Sequence, residues 1–146
     1  MAQGDGGQVD WLDQIVEALR ALHDQIIHES GGVFGEHTSS LYAACARPFQ
    51  SAFGEDVYST PYERGAAFFH AIICDHVFVD GNKRTATVGT LDLLAAEGVV
   101  SIDDVTPLRV RMLGDIALST AAEGLTVEEI AIWLRRIFDR SLLPLA

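Results

Sequence analysis

Apolar residues recur every three or four positions over much of this chain, which is the spacing of one face of an α-helix. The clearest case is residues 10–27, where polar positions separate a single apolar stripe. The glycines that follow, Gly31 and Gly32, can adopt the left-handed conformation that often ends a helix. The pattern predicts a first amphipathic helix with a buried stripe formed by Trp11, Ile15, Val16, Leu19, Leu22 and Ile26.

Threonines with the chemistry of N-caps mark the next helices. Thr38 is a candidate N-cap for a second helix, which we expect to end or kink before Pro48. Thr60 precedes Pro61 and stands three residues before Glu63, which is the arrangement of a capping box. These signals predict a third helix that begins at the proline.

The second half of the chain repeats these signals. Residues 82–97 combine small and apolar side chains and end at Gly98, which predicts a central, heavily buried helix. Thr106, which precedes a proline, and Thr126, which begins a capping box, predict two more. The polar stretch 54–59 holds only a short alternating pattern and predicts a small flap or hairpin.

The elements together predict an all-α protein, a single-domain bundle of about six helices with a small flap. We place the domain at residues 10–140, with a flexible N-terminal tail at 1–9 and a C-terminal tail at 141–146. Trp11 and Trp133 lie on apolar stripes, so both are predicted as core residues.

Composition narrows the functional classes. With 49% hydrophobic residues a disordered chain is excluded, and 10 basic against 21 acidic residues give a net charge of −11 that disfavours direct binding of nucleic acid. No apolar run is long enough for a membrane span, and the N-terminus lacks the features of a secretory signal. Cys45 and Cys74 fall in apolar helical patterns and are predicted as buried thiols, so we expect a cytoplasmic protein without membrane contact.

The chemistry concentrates in the sequence HVFVDGNKRTA, residues 76–86. Gly81 permits a tight turn, and the three residues after it fall in the first turn of the predicted helix. Lys83 and Arg84 are unfavourable there on stability grounds, because the N-terminus of a helix carries partial positive charge. A bound anion would remove this conflict, so the turn is a candidate phosphate site.

The residues before the glycine complete a possible catalytic set. His76 could take a proton from an attacking hydroxyl, and Asp80 offers an oxygen ligand for magnesium on a phosphate chain. Phe78 could insert into the core and hold the loop. Each residue alone also has a purely structural reading, but their density favours phosphoryl or nucleotidyl transfer.

This stretch resembles the signature of Fic-domain proteins, a loop that runs His-x-Phe-x-(Asp/Glu)-Gly-Asn-(Gly/Lys)-Arg into a helix. The lysine at Lys83, followed by Arg-Thr-Ala, looks most like the Doc branch, the "death on curing" toxins. Flanking segments are similar in the same order, so the resemblance covers roughly residues 10–140. The residues that match the signature are His76, Phe78, Asp80, Gly81, Asn82, Lys83 and Arg84.

The resemblance implies a Fic-like helical bundle and a role for each of these residues. His76 would be the general base, Phe78 would anchor the loop, and Asp80 would bind the metal on a nucleotide. Phosphate binding would fall to the four residues that follow, Gly81, Asn82, Lys83 and Arg84.

One departure from the pattern selects between reactions. AMP-transferring Fic enzymes carry a second arginine three residues after the first, where this chain has Thr87. Doc-type proteins share that absence and transfer the terminal phosphoryl group, so the resemblance implies an ATP-dependent protein phosphotransferase that uses Mg²⁺. Gly81 is the AMP-transferase choice where the Doc branch often has alanine, so transfer of AMP or another NMP stays open as an alternative.

The resemblance also implies partners. The target would be a protein hydroxyl, in the Doc branch a threonine of a translation elongation factor, and an antitoxin would restrain the activity. A second alternative is a non-catalytic Fic-like module whose loop only binds an anion.

A short segment of the fifth predicted helix is similar to the inhibitory helix motif of self-restrained Fic enzymes. It consists of Ser119, Glu123 and Gly124. In those enzymes the glutamate pairs with the second arginine, which this chain lacks, so we expect an ordinary helix end here.

Overall fold

A computed structural model describes residues 3–141 and confirms the predicted all-α architecture. Two 3₁₀ turns, Arg47–Phe49 and Ile102–Asp104, connect helices, and the predicted flap is a two-stranded antiparallel hairpin that pairs Ser51 with Asp56. The hairpin begins a few residues before the predicted stretch. The helices are α1 (Gln3–Ser30), α2 (Thr38–Ala46), α3 (Pro61–Cys74), α4 (Asn82–Ala96), α5 (Pro107–Glu123) and α6 (Val127–Phe138), and the strands are β1 (Ser51–Ala52) and β2 (Glu55–Asp56).

Helix α3 forms the centre of the bundle. Eight of its fourteen residues are buried, and it packs most extensively against α4 and α6. Small residues permit the close approach: an atom added at the Cβ position of Gly65 would lie 3.1 Å from Leu94, and one added at Gly89 would lie 3.3 Å from Phe68. The largest fully buried side chains around this axis are Phe69, Phe78, Leu41, Ile72, Leu94, Leu113, Ile130 and Leu134.

The buried stripe of α1 is rotated from the predicted one. Its buried line consists of Val16, Leu19, His23 and Ile27, while Ile15, Leu22 and Ile26 are half-buried. A histidine therefore occupies a core position of this helix. A prediction from apolar spacing misses this face, because His23 is polar and is not counted as part of an apolar stripe.

The prediction that both tryptophans are core residues is wrong. Trp11 is 38% exposed and Trp133 is 42% exposed. Trp11 makes an edge contact with Phe49 at 5.4 Å between ring centroids, and Trp133 lies under the guanidinium of Arg136 at 5.7 Å. Trp11 therefore packs on the 3₁₀ turn Arg47–Phe49, Trp133 contacts a residue of its own helix, and neither ring is buried in the bundle. Likewise Cys45 is buried as predicted, but Cys74 is exposed because it ends α3.

Three of the four predicted threonine caps are confirmed. The hydroxyls of Thr60, Thr106 and Thr126 each accept a hydrogen bond from the backbone N–H three residues later. The capping box at Thr126 is complete. At Thr60 the carboxylate of Glu63 instead accepts from the N–H of Ser59, at 3.1 Å.

The fourth cap is a correction. The N-cap of α2 is His37, and Thr38 is the first helical residue, with its hydroxyl donating to Glu36 at 2.9 Å. The N–H of His37 has no partner inside the helix and donates to the carbonyl of Val77, at 2.8 Å. The residue at this helix boundary is therefore also bonded to a distant loop. At the other end the helix gives way to a 3₁₀ turn that contains Pro48, as predicted.

The termini differ in part from the predicted tails. Helix α1 begins at Gln3, so the backbone of residues 3–9 is helical although we predict a flexible tail at 1–9. Three glycines in that segment disfavour a helix by about 1 kcal/mol each, so the local sequence carries no signal for it. Residues 1, 2 and 142–146 lie outside the described part of the chain, which holds no helix long and apolar enough to cross a membrane.

A polar cluster connects the 3₁₀ turn Arg47–Phe49 and the segment after the hairpin to α3. The Arg47 guanidinium donates to the Tyr58 hydroxyl at 3.2 Å and to Nδ1 of His70 at 3.1 Å. Arginine has only donors, so Nδ1 accepts and the imidazole is neutral in this arrangement. Burial, and then the charge of Arg47, lower the pKa of His70 below its usual value, while Asp75 and Glu128 act in the opposite direction.

We predict that this cluster makes folding stability fall in mild acid. The pKa of His70 is lower in the folded chain than in the unfolded chain, so the unfolded chain binds more protons as the pH falls through about 6.5. The free energy of unfolding should therefore decrease over that range. The free energy of unfolding is measured by urea denaturation at a series of pH values. Its change per pH unit should be smaller for His70→Gln than for the parent.

Arg47→Gln serves as the comparison, because it removes the positive charge beside the ring and leaves burial in place. Its slope should lie between those of the parent and His70→Gln. Equal slopes for His70→Gln and the parent would contradict the assignment.

Candidate functional site

The signature loop joins α3 to α4 and pairs with the loop that joins α1 to α2. The N–H of His37 donates to the carbonyl of Val77 at 2.8 Å, and the N–H of Val79 donates to the carbonyl of Gly35 at 3.0 Å. Glu36 and Phe78 face each other in this short antiparallel ladder. Residues 33–37 thereby fix the backbone of residues 77–79.

His76 begins the loop with an exposed ring and a left-handed backbone, φ 47°. Such a conformation costs a residue with a side chain on the order of 1–3 kcal/mol, and it persists only where the surroundings enforce it. Here the enforcing contacts are the end of α3 before it and the ladder after it. The ring is therefore presented at the surface beside the loop.

Phe78, the predicted loop anchor, is 1% exposed. Its backbone is held from both sides by one amide: the N–H of Phe78 donates to Oδ1 of Asn82 at 2.9 Å, and Nδ2 of Asn82 donates to the carbonyl of Phe78 at 2.8 Å. The Asn82 side chain is thus occupied within the loop. Asn82 is the first residue of α4, so its backbone N–H belongs to the uncapped first turn of that helix.

Asp80 is the best-defined acceptor of the loop. Its Oδ2 accepts from the N–H of Val33 at 3.0 Å and its Oδ1 from the N–H of Gly81 at 2.8 Å. These two bonds, with the charge of Arg84 as a smaller contribution, lower the pKa of Asp80 below its usual value. The carboxylate is ionised at neutral pH and keeps about two lone-pair positions for a further partner.

A metal at Asp80 would have to take its other ligands from elsewhere. Within residues 3–141, no cluster of three or more histidine, cysteine or acidic side chains could hold a metal ion. Mg²⁺ commonly binds through one or two carboxylates together with nucleotide phosphates and water, so a single carboxylate beside a phosphate site fits it.

Gly81 places that carboxylate at the start of α4. Its φ of 79° is left-handed, and an atom added at its Cβ position would lie 3.0 Å from Cδ1 of Ile27. Both features favour glycine over a residue with a side chain. No side chain caps the first turn of α4 in this structure, so the N–H groups that open the helix remain available to an anion.

The two cations after the turn do not share one environment. Lys83 is exposed. The Arg84 guanidinium donates to the Ser30 hydroxyl and to the carbonyl of Gly31, the latter at 3.1 Å, at the C-terminal end of α1. A helix C-terminus favours a cation, so the unfavourable position of Arg84 on α4 is offset by its position on α1. The argument for a bound anion therefore depends more on Lys83 and the backbone than on Arg84.

Thr87 lies one turn further along α4 and is 7% exposed. Its hydroxyl donates to the carbonyl of Lys83 at 2.9 Å, inside the same helix. This position therefore contributes neither a charge nor a free donor. The inhibitory-like triplet is also an ordinary helix end, as predicted, since Gly124 caps α5 with φ 71°.

Sequence reasoning missed the residues of α1 that support the site. His23 stacks on the ring of Phe78 with 3.8 Å between centroids and 5° between planes, and its Nε2 lies 2.7 Å from the carbonyl oxygen of Asp80. Arg20 forms a double hydrogen bond to Glu36, at 2.6 and 2.7 Å, which lowers the pKa of Glu36. The available signal was helical spacing: His23 lies on the buried line between Leu19 and Ile27, and Arg20 lies beside that line.

Comparison with known proteins is consistent with this geometry. The sequence model of the Fic/DOC family matches residues 11–94, which include most of α1, both loops and most of α4. Protein kinase doc of Escherichia phage P1 is 30% identical over 122 residues, 84% of this chain and 92% of that protein. Toxin Doc of Mycolicibacterium smegmatis is 39% identical over 59 residues, 40% of this chain and 45% of that protein.

We predict that Gly32→Ala displaces the Asp80 carboxylate from its present position. Gly32 has φ 132°, and an added Cβ would lie 2.6 Å from Oδ2 of Asp80 and 2.9 Å from Cδ1 of Ile27. The variant should lose about 1–3 kcal/mol of stability from backbone strain alone and should bind Mg²⁺–ATP more weakly in calorimetry.

Gly31→Ala is the matched control, because Gly31 also has a left-handed φ, 83°, but an added Cβ would meet nothing within 4 Å. It should lose stability and leave binding of Mg²⁺–ATP near that of the parent. If both variants bound Mg²⁺–ATP equally well, the close approach of Gly32 to Asp80 would have no functional meaning.

Proposed function

This chain belongs to the Fic/DOC family, in its Doc branch, and from that premise we propose that it transfers the terminal phosphoryl group of ATP to a hydroxyl of a target protein. The observation that carries the proposal is the position of Asp80. An ionised carboxylate, held by two backbone N–H groups, directly precedes the uncapped first turn of α4. A metal-holding carboxylate beside an anion-binding helix terminus is what phosphoryl transfer requires.

In the proposed reaction His76 is the general base. The target hydroxyl loses its proton to a ring nitrogen of His76, and its oxygen forms a bond to the terminal phosphorus of ATP. The bond from that phosphorus to the bridging oxygen breaks, and ADP leaves with the electron pair. Asp80 would hold Mg²⁺, which would supply positive charge beside the phosphate chain. The N–H groups of the turn from Gly81 to Arg84, with Lys83, would bind the phosphates.

Thr87 supports phosphoryl transfer over AMP transfer. Enzymes of the family that transfer AMP use an arginine at this position, whereas Thr87 is buried and bonded to its own helix. Transfer of AMP or another NMP remains the alternative because of Gly81. That glycine has a structural reason of its own, since φ is left-handed and Ile27 lies against it, which weakens the case for the alternative.

The names of the relatives support a toxin with a protein partner. One is called a protein kinase and the other a toxin. We propose that this chain modifies a component of translation, with an elongation factor as the first candidate, and that an antitoxin restrains it. The proposed setting is the cytoplasm, where both ATP and that target are present.

We predict that label from the terminal phosphate of ATP, and not from the α-phosphate, reaches the target. The test incubates the full chain and Mg²⁺ with each labelled ATP and a purified elongation factor or a lysate. Mass spectrometry of the labelled protein then distinguishes an added phosphate from an added nucleotide. Label arriving only from the α-phosphate would favour the alternative and exclude phosphorylation.

We predict that His76→Ala lowers transfer by about 10²- to 10⁴-fold, the usual contribution of a general base, and abolishes growth inhibition on expression. His28→Ala is the control, because His28 is exposed in the last turn of α1. If His76→Ala inhibited growth as strongly as the parent, the chain would act as a non-catalytic anion-binding module.

A further inference from the structure

The buried face of α1 carries one polar ring at the point where it meets the signature loop. His23 is 1% exposed, and its neighbours along the buried line are Leu19 and Ile27. Burying an imidazole among apolar side chains is unfavourable unless its polar atoms find partners. The contacts of His23 therefore show what the ring does at this position.

The first contact fixes a hydrogen on the ring. Nε2 of His23 lies 2.7 Å from the carbonyl oxygen of Asp80, and a carbonyl oxygen only accepts. Nε2 is therefore the donor. The second contact fixes the ring plane, because the imidazole lies parallel to the Phe78 ring at 3.8 Å. A ring held in plane can direct its N–H at one acceptor only.

The acceptor belongs to the residue that carries the proposed metal site. Asp80 is held at three points: its carbonyl by His23, Oδ1 by the N–H of Gly81, and Oδ2 by the N–H of Val33. The two carboxylate bonds hold the side chain, but the bond from His23 holds the peptide group between Asp80 and Gly81. That peptide sets the left-handed turn and the direction of the first turn of α4.

We propose that His23 is a positioning residue for the reaction, which acts by donating a hydrogen bond from Nε2 to the Asp80 carbonyl and so orients the metal-binding carboxylate against the phosphate-binding turn. This inference rests on the proposed function. His23 touches neither nucleotide nor target in this role. Its effect should appear in the use of Mg²⁺–ATP, and not in the proton transfer assigned to His76.

Two substitutions separate donation from packing. Glutamine places an amide N–H close to the position of Nε2, so His23→Gln keeps the donor and loses the ring. Phenylalanine keeps a ring against Phe78 and loses the donor, so His23→Phe tests packing alone. Val16→Ala is the matched control for general destabilisation, because Val16 is fully buried on the same face of α1 and lies two helical turns from His23.

The full-length variants are compared in phosphoryl transfer at varied Mg²⁺ with saturating ATP. His23→Phe should raise the Mg²⁺ concentration for half-maximal rate by roughly 2- to 10-fold, the range set by one hydrogen bond, and His23→Gln should restore most of the loss. Val16→Ala should unfold at lower temperature with an unchanged Mg²⁺ requirement. If His23→Phe matched the parent while His23→Gln did not, packing would explain the residue and the proposal would fail.

A second measurement holds even if the chain proves not to be a phosphotransferase. In the parent, NMR should show a hydrogen on Nε2 of His23 that exchanges slowly with solvent. Amide exchange at residues 76–84 should be faster in His23→Phe than in His23→Gln. If the parent showed no phosphoryl transfer but did show the Nε2 hydrogen and the difference in amide exchange, the proposed function would be rejected and His23 would still hold the loop. If the Nε2 hydrogen were absent, the positioning role would be overturned.

Discussion

The candidate site depends on the packing of α1 against the signature loop. The loop itself is short of internal contacts, since within it only Asn82 bonds to the backbone of Phe78, and Asp80 to its neighbour Gly81. Beside the end of α3 and the core packing of Phe78, its other contacts come from α1 and the segment that follows: the stack on Phe78, the hydrogen bond to the Asp80 carbonyl, and the ladder with residues 33–37. The buried face of α1 thus serves the core and the site at once.

The electrostatics of the candidate site are set by nearby groups. The chain carries a net charge of −11, yet its loop is proposed to receive a polyanion. The attraction is local: the uncapped start of α4 supplies partial positive charge, and Lys83 adds a full one. The Arg84 guanidinium is bonded to the end of α1, and its positive charge also lowers the pKa of Asp80. Fixed dipoles at short range therefore matter more here than the overall charge.

Much of the fold could be predicted from the sequence because it is written in local signals. Thr60, Thr106 and Thr126 cap helices through bonds to residues three positions away, and such bonds need no knowledge of the tertiary structure. The signature residues of the loop could be chosen in the same way. What the sequence could not reveal depends on distant partners: the N–H of His37, the N-cap residue of α2, is bonded to Val77, and the Arg84 side chain reaches α1. Trp11 was predicted as a core residue because it lies on an apolar stripe. Hydropathy alone does not show which residues of such a stripe are covered by another helix.

The hydrogen bond from His23 to Asp80 joins residues 57 positions apart, whereas the amide of Asn82 reaches back only four. In terms of folding order, the local clamp can form within the segment itself, but the bond from α1 must wait until a long loop has closed. A partly folded chain therefore contains the family signature before it contains the site. The arrangement of the site therefore forms only when α1 packs on the loop, so that a chain in which α1 has not yet docked carries the residues of the site without their arrangement.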